Sequence, residues 1–255
     1  MNSVGKILKI EGLTKDFSNI RVLDDINLTV SVDKPRVSII GPNGAGKTTL
    51  LNIISGEILP SQGKIWLFGQ NVTHMPPNKL VHLGIGRIFQ VADLFFNLTL
   101  LDNVILSAQA KEHFRFNPFR GNGVYHKLLP DIEHLLIQMD LWEKKDELVG
   151  NLPHGDIRKT ELVLALASKP KILFLDEPTA GLTIAEARKF TELIKNLPRQ
   201  IPLIMIEHHM DIVMTLSDQI IVLNSGIIIA KGNPEEIKEN PQVREIYLGG
   251  GQKDP

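Results

Sequence analysis

Short apolar stretches alternate along the chain with segments whose apolar residues recur at helical spacing. Strands are predicted where apolar and polar positions alternate, or where a short apolar run ends at glycine. The predicted strands are Ile7–Ile10, Val22–Val30, Val37–Ile40, Lys64–Phe68, Lys171–Leu175, Pro202–Ile206, Gln219–Leu223 and Ile227–Ala230. The predicted helices are Thr48–Ser55, Leu128–Met139, Asp156–Ala167 and Ala185–Leu197. Strands that alternate with helices predict an α/β layer structure with a largely parallel sheet.

Turn and cap residues mark where some of these elements begin and end. Asn224-Ser225-Gly226 separates the last two strands and predicts a hairpin. Asn233-Pro234-Glu235-Glu236 supplies an N-cap, an N1 proline and an acidic first turn, so a last helix is expected there. Helical patterns prevail from about residue 93 to 151, and the proline and glycines within 116–123 predict a loop among them.

Composition limits the class of protein. The chain has 255 residues, of which 43% are hydrophobic and 22% charged, and its formal net charge is -1. These are ordinary globular values, and no global basic field indicates a nucleic-acid partner. The chain has no cysteine, which excludes disulfides and a cysteine nucleophile. Its apolar runs are far shorter than the roughly 20 residues that cross a bilayer, so direct membrane insertion is not expected.

The strongest chemical signal is a glycine-rich segment between a predicted strand and a predicted helix. Its residues are Gly41, Pro42, Asn43, Gly44, Ala45, Gly46, Lys47 and Thr48. Glycines let the backbone wrap a phosphate closely, and the N–H groups of such a loop and of the following helix favour an anion. Lys47 would bring positive charge to the β- and γ-phosphates, and the Thr48 hydroxyl would ligate Mg²⁺. The segment therefore predicts a nucleotide-binding phosphate loop.

A second candidate site lies at the end of the apolar run Ile172–Asp176. A strand beside the phosphate loop would hold Asp176 near Mg²⁺. Glu177 follows directly, and a carboxylate at that strand end could polarise an attacking water. The alternative is that both acids only begin a turn at Pro178; the phosphate loop in the same chain favours the chemical role.

Taken in order, these segments resemble the ATP-binding subunits of ABC transporters, and the resemblance covers essentially the whole chain. The matching segments are the phosphate loop, Arg87-Ile88-Phe89-Gln90, a helical insert, Leu152-Pro153-His154-Gly155-Asp156, Leu175-Asp176-Glu177-Pro178-Thr179 and His208 at a strand end. The resemblance implies an α/β P-loop NTPase core of the ABC ATPase type, with an antiparallel β subdomain and an inserted α-helical subdomain. Residues 1–255 would form one domain: a nucleotide-binding core at about 1–90 and 161–234, a helical subdomain at about 91–160 and a C-terminal helical tail at about 235–255.

The resemblance also implies roles for individual residues. Glu177 would be the general base, His208 would contact the γ-phosphate, and Gln90 would reach Mg²⁺ and the attacking water while sensing a membrane partner. Phe17 would stack on adenine and Val22 would pack near the sugar. The remaining ATP contacts would be the phosphate loop with Thr49 and the segment Leu152 to Asp156, and the Mg²⁺ ligands would be Thr48, Gln90 and Asp176. A core position for Phe17, a surface position for Gln90 and a structural role for His208 are the alternatives.

The segment at 152–156 departs from the family's Leu-Ser-Gly-Gly-Gln signature, which binds the γ-phosphate of the ATP on the opposite subunit. Pro153 has neither a hydroxyl nor a backbone N–H, although Gly155 is retained and the helix start still favours phosphate. A lost hydrogen bond to a charged group, roughly 1.5–3 kcal/mol, would weaken the contact by about one to two orders of magnitude. Either His154 replaces the donor, or Gly155 and the helix end carry the contact. Asp156 suits a first helical turn but adds negative charge near ATP.

Less specific matches narrow the resemblance to the ATP-binding subunits of branched-chain amino-acid importers and their urea or amide relatives. They are Arg87–Gln90, Leu94-Phe95, Thr99–Val104, Ala180-Gly181-Leu182, Ile206–Met210 and the tail segment Ile246–Gly249. Lipopolysaccharide-export ATPases share several of these matches, so a lipid exporter is one alternative. A nucleotide-binding regulatory subunit, with weak hydrolysis because of Pro153, is the other.

The implied function is ATP hydrolysis that powers a membrane transporter, with ATP and Mg²⁺ as the bound groups. The implied partners are transmembrane permease subunits and a second ATPase subunit, identical or different, that joins when ATP is bound. The insert around Phe95 and Phe96 would pass movement to the permease. The protein would therefore be cytoplasmic and peripheral on the inner face of the cell membrane.

Overall fold

The computed structural model describes residues 5–88, 94–110 and 121–248. The strands in these ranges are β1 (Lys6–Phe17), β2 (Ile20–Ser31), β3 (Arg36–Ile40), β4 (Gln62–Leu67), β5 (Gln70–Asn71), β6 (Ile85–Ile88), β7 (Ile172–Asp176), β8 (Leu203–Ile206), β9 (Gln219–Asn224) and β10 (Ile227–Gly232). The helices are α1 (Lys47–Ile54), α2 (Pro77–Leu83), α3 (Leu100–Ala110), α4 (Gly121–Gln138), α5 (His154–Ala167), α6 (Ile184–Lys195), α7 (Met210–Leu216), α8 (Pro234–Glu239) and α9 (Pro241–Leu248).

The chain divides into two compact units, residues 1–80 with 198–255, and residues 81–197. The first unit contains an antiparallel sheet in the order β2-β1-β4-β5. Its strand β1 runs on to Phe17, beyond the predicted end at Ile10, because pairing with β2 continues across several bulges to the pair Phe17–Ile20. The predicted subdomain bounds stay a prediction.

The first unit also contains four strands in the order β10-β9-β3-β8. Strand β3 is buried at all five positions and pairs in parallel with both β8 and β9. Strands β9 and β10 form the predicted hairpin, in which Ser225 and Gly226 have φ of 48° and 80°. Two successive left-handed residues give the turn that suits the twist of paired strands, so the hairpin prediction is confirmed.

The second unit pairs β6 and β7 in parallel, and β7 is buried along its whole length. Helix α5 packs against both α3 and α4 in this unit. Among the described residues, no helix is both long and apolar enough to cross a membrane.

The α/β organisation with parallel pairing agrees with the sequence pattern, and every predicted strand and helix has a counterpart in the structure. The predicted loop over 116–123 is wrong in its last part, because α4 already begins at Gly121. Residues 116–120 lie outside the described ranges. The low helix propensity of Gly121 and Gly123 costs only about 1 kcal/mol each, which a cooperative helix of this length overrides.

Candidate nucleotide site

The phosphate loop follows β3 and is held by its neighbours in the first unit. A Cβ at Gly41 would lie 2.0 Å from the carbonyl oxygen of Leu223, and a Cβ at Gly46 would lie 2.9 Å from that of Val22. Gly46 also has φ of 98°, in the left-handed region. Both positions therefore require glycine. The backbone N–H of Gly226 donates to the carbonyl of Ala45 at 3.1 Å, so the β9–β10 hairpin supports the loop.

Lys47 begins α1 and is buried beneath the loop. Its ammonium Nζ donates to the carbonyl oxygens of Gly41 at 2.8 Å and Pro42 at 3.0 Å. Gly46, the N-cap of α1, offers no side-chain acceptor to the first turn, while Thr48 and residues 42–44 are exposed. Uncapped N–H groups at a helix start, beside a lysine, form a suitable environment for a phosphate.

The two residues expected to contact the nucleoside lie in the antiparallel part of the same unit. The ring of Phe17 is 43% exposed, and the Lys15 ammonium lies 4.7 Å from its centroid. Val22 is half-buried next to Gly46. Phe17 is therefore not enclosed in the core, and its ring can stack on a flat ligand.

His208 follows β8 and lies at the same sheet edge as the phosphate loop. In the parallel pair of β3 and β8, Ile39 is opposite Ile206. Gly41 and His208 each come two residues after this pair, so both emerge where the carboxyl ends of the strands meet. His208 is exposed there, whereas the preceding Glu207 is buried.

The predicted acids lie at the end of β7, in the second unit. Asp176 is buried, and its Oδ2 lies 3.9 Å from Nη2 of Arg87 on β6. Glu177 follows with φ of 49°, and its carbonyl accepts from the N–H of Ala180 at 3.0 Å. The Asp176 carboxylate is an oxygen donor of the kind that Mg²⁺ prefers, and so is the Thr48 hydroxyl of the first unit, so each residue taken singly is chemically suited to that ion. Gln90, the third predicted ligand, lies outside the described residues.

The signature segment forms the start of α5. Pro153 is the N-cap residue and supplies no side-chain hydrogen bond, and the helix begins at His154 rather than at the predicted Asp156. His154 and Gly155 therefore belong to the first helical turn. Leu152 is buried, whereas Pro153 and His154 are exposed. An exposed helix start whose side chains leave its N–H groups uncapped is compatible with phosphate binding.

The start of α5 packs on the loop that follows Glu177. A Cβ at Gly181 would lie 3.1 Å from Cε1 of His154, and a Cβ at Gly155 would lie 2.9 Å from Oε1 of Glu186. Arg158 adds a second link, since its Nη2 donates to the carbonyl of Ala180 at 3.4 Å. These contacts leave little space for a larger side chain at either position.

Two charged pairs lie in this region. Arg158 and Glu161 have the i, i+3 spacing of a helical ion pair, whereas nothing in the sequence signals the pairing of Lys144 with Asp156. Lys144 donates to Asp156 at 2.5 Å, which raises the pKa of Lys144; this pairing offsets the negative charge expected of Asp156. Arg158 donates to Glu161 at 2.9 Å. Burial raises the pKa of Glu161, and the hydrogen bond from Arg158 opposes that shift.

Each unit therefore contains some of the predicted site residues. The first unit holds Phe17, Val22, the phosphate loop and His208. The second unit brings together the end of β7, the loop after it and the start of α5.

Two family profiles match the chain. The profile described as "ABC transporter" matches residues 23–180, and that described as "Branched-chain amino acid ATP-binding cassette transporter" matches residues 228–253. The first match covers more than half of the chain and includes the phosphate loop, Asp176 and Glu177. The second covers β10 and the C-terminal segment.

Individual relatives match over nearly their whole length. The high-affinity branched-chain amino acid transport ATP-binding protein BraF of Pseudomonas aeruginosa is 35% identical, over 95% of this chain and 98% of the relative. The solved structure of the ADP conformation of MJ1267, an ATP-binding cassette of an ABC transporter, has a TM-score of 0.82 at 30% identity, covering 96% and 99% of the two chains. A dimeric post-hydrolysis structure of the ATP-binding cassette MJ0796, bound to ADP and Pi, has a TM-score of 0.75 at 25% identity, covering 89% and 99%.

Proposed function

Because the chain belongs to the ABC transporter family of ATP-binding proteins, we propose that it binds and hydrolyses ATP to power a branched-chain amino-acid importer. The phosphate loop, with the Lys47 ammonium held beneath it, is the observation that carries the ATPase proposal. The cargo rests on the name of the similar BraF protein and on the profile match at 228–253.

In the proposed reaction, residues of the first unit hold the nucleotide. Phe17 stacks on adenine, Val22 packs near the sugar, and the loop N–H groups with Lys47 bind the β- and γ-phosphates. The same Lys47 charge stabilises the negative charge that develops on the transferred phosphoryl group, and His208 donates to the γ-phosphate. Thr49 continues the first turn of α1 beside the phosphates.

The strand-end acids complete the proposed chemistry. Glu177 accepts the proton of an attacking water and orients it in line with the γ-phosphate. Mg²⁺, when bound by Thr48, Asp176 and Gln90, would neutralise phosphate charge. Burial of Asp176 keeps its carboxylate at a fixed position, as an oriented ligand requires.

A second ATPase subunit is proposed to complete each site. The start of α5, from Pro153 to Asp156, would cover the γ-phosphate of the ATP on the opposite subunit. The dimeric structure of the similar MJ0796 cassette supports this arrangement. Lys144 and Lys159, 2.5 and 3.4 Å from the Asp156 carboxylate, reduce its repulsion of that phosphate.

Transmembrane permease subunits are the other proposed partners. Phe95, Phe96 and Leu148 are 58%, 46% and 42% exposed. The N–H of Gly150 donates to the carbonyl of Phe96 at 3.0 Å, so the two segments that carry these side chains are hydrogen-bonded to each other. Exposed apolar side chains on neighbouring segments suit a protein partner. Docking to a permease would place the chain in the cytoplasm, on the inner face of the membrane.

The ATPase proposal is tested with the variant Glu177→Gln. We expect it to bind ATP but to hydrolyse it at least about 100-fold more slowly than the wild type, because the proton acceptor is lost. Light scattering should show the variant at its chain mass of 28.5 kDa without nucleotide and at twice that mass with Mg-ATP. Lys47→Ala is the control, since it should neither bind ATP nor change mass.

A chain that binds ATP but does not hydrolyse it, alone or mixed with a second ATPase subunit, would contradict this proposal and favour the regulatory alternative. A mass that stays monomeric with ATP bound would mean either that the departure at Pro153 weakens the contact or that a different ATPase subunit is required as partner. The cargo is tested in cells that lack the chain, which should lose uptake of labelled leucine and recover it with the wild type but not with Glu177→Gln.

A further inference from the structure

The turn between β8 and α7 is organised by one buried carboxylate. Glu207 is 2% exposed, although its side chain ends in a polar carboxyl group. Its Oε1 accepts from the backbone N–H of His208 at 2.9 Å, from the N–H of His209 at 3.2 Å and from Nδ1 of His209 at 2.9 Å. Three donors therefore converge on a single oxygen.

These hydrogen bonds fix the backbone of His208 on both sides. The N–H of His208 belongs to the peptide plane before its Cα, and the N–H of His209 belongs to the plane after it. The orientation of two flanking peptide planes determines φ and ψ of the residue between them. By holding both planes at one oxygen, Glu207 determines the direction in which the His208 side chain leaves the chain.

His209 has a supporting contact in the same turn. A carboxylate only accepts hydrogen bonds, so its contact with Nδ1 requires the proton on Nδ1 of His209. The imidazole of His209 is 62% exposed, so it contacts the buried carboxylate of Glu207 from the solvent side. A buried carboxylate is costly unless its hydrogen bonds are satisfied, and these three contacts offset that cost.

We propose that Glu207, together with His209, is a positioning residue that aims His208 at the γ-phosphate of bound nucleotide. The proposal rests on the function proposed above, in which His208 contacts that phosphate. Its geometric basis is independent, since Ile206 is registered opposite Ile39, two residues before the phosphate loop begins. A change in the three-residue turn therefore changes where the imidazole of His208 lies relative to that loop.

The central experiment compares Glu207→Leu with Glu207→Gln. Leucine has a similar size and no acceptor, whereas glutamine keeps an amide oxygen that can accept both backbone N–H groups. We expect Glu207→Leu to lower kcat for ATP by about 10–100-fold, with KM changed less than about twofold, because a displacement of about 1 Å misplaces a contact to the reacting phosphate. Glu207→Gln should keep kcat within about threefold of the wild type.

A second variant keeps the proposal testable if Glu207→Leu does not fold. His209→Ala alters an exposed side chain and leaves both backbone hydrogen bonds in place, so we expect a folded protein whose kcat falls about 3–10-fold. The neighbouring exposed variant Asp211→Ala is the matched control, with kcat unchanged. Unaltered kcat in His209→Ala, or in Glu207→Leu where that variant folds, would overturn the proposal.

The mode of action is tested in a His208→Ala background. If Glu207 acts through His208, Glu207→Leu lowers kcat no further once His208 is absent. A general structural effect would instead lower the residual kcat by the same factor as in the wild type, since independent effects add in free energy. That additive result would overturn the positioning role.

A nucleotide-free measurement separates this inference from the proposed function. In protein labelled with ¹⁵N-histidine, the Nδ1 proton of His209 should be protected and visible by NMR, and it should be lost in Glu207→Leu. Suppose that the Nδ1 proton is protected and the wild type hydrolyses ATP, but that kcat does not depend on Glu207. That result overturns only the inference. A wild type without hydrolysis, even with a second ATPase subunit, overturns the proposed function and the inference with it.

Discussion

Glu177, the residue expected to act as general base, has a backbone conformation that residues other than glycine rarely adopt. Its φ of 49° lies in the left-handed region, where a non-glycine residue costs about 1–2 kcal/mol. Such strain persists where the surrounding structure determines the conformation, and it is enriched at functional sites. Here the turn that follows, closed by the N–H of Ala180, and the buried strand before it impose the conformation.

The strain at Glu177 predicts a stability difference between two inactive variants. The free energy of unfolding of Glu177→Gly should be about 1 kcal/mol higher than that of Glu177→Ala, because only glycine adopts this φ without a steric cost. Urea unfolding of the two variants measures the difference. At Glu192, an exposed position inside α6, the order should reverse, with alanine about 1 kcal/mol more stable than glycine. The same order at both positions would contradict the strain argument.

At the scale of single elements, helix starts show how local chemistry sets boundaries. Helix α8 begins with the predicted cap, where Asn233 and Glu236 exchange reciprocal hydrogen bonds. Helix α6 has an equivalent capping box between Thr183 and Glu186, which the sequence analysis missed although the Thr-x-x-Glu spacing was there to find it. Helix α5 begins without a side-chain cap at Pro153, so the signature helix alone among these three leaves its first N–H groups uncapped by side chains.

The capping box of α6 predicts a pH-dependent contribution to stability. Hydrogen bonds from the side chain and backbone of Thr183 hold the pKa of Glu186 below its ordinary value of 4.5. The charged cap therefore stabilises the folded state above pH 4.5, and this contribution is lost as the pH falls through the lower folded pKa. Glu186→Gln should lower the unfolding temperature at pH 7, and the difference from the wild type should shrink in acid.

Thr183→Ala is the control for this prediction. It removes the side-chain hydrogen bond that contributes most to the shift, so Glu186→Gln should have a smaller pH-dependent effect in that background. If the unfolding temperatures of the wild type and Glu186→Gln differ by the same amount at pH 7 and in acid, the charge of the cap does not contribute to stability.

At the scale of the whole molecule, the C-terminal helices belong to the core of the first unit. Ile237 on α8 and Val243 on α9 are buried in one cluster with Ile40, the residue directly before the phosphate loop, and with Val222 on β9. The segment after β10 therefore covers the strands that support the nucleotide site. Its stability and that of the loop are linked through shared apolar packing.

This packing predicts a large effect of a single truncation. Ile237→Ala should lower the free energy of unfolding by about 2–5 kcal/mol, because it leaves a cavity in a close-packed cluster. Ile227→Ala, at a 47% exposed position on β10, should lower it by less than about 1 kcal/mol. Denaturant unfolding measures both, and similar losses at the two positions would show that the C-terminal helices do not contribute to the core.

The amino-acid sequence by itself determined the elements and the chemistry that depend on neighbours along the chain. The phosphate loop needs glycines before Lys47, a hairpin needs Asn224-Ser225-Gly226, and a helix cap needs Asn233 before Pro234. Each is a contact across a few residues, so type and spacing suffice to predict it. Apolar runs likewise predicted eight of the ten described strands, since a buried strand requires them, but they did not predict the short strands β5 and β6.

The tertiary structure alone decided the contacts between elements that are distant in sequence. It placed Lys144 against Asp156 and His154 against Gly181, and it brought the end of β8 beside the phosphate loop. No local pattern encodes which loop meets which, because long-range pairing depends on the packing of the whole fold. The convergence on Glu207 is a local contact, but only burial of its carboxylate revealed its consequence for His208.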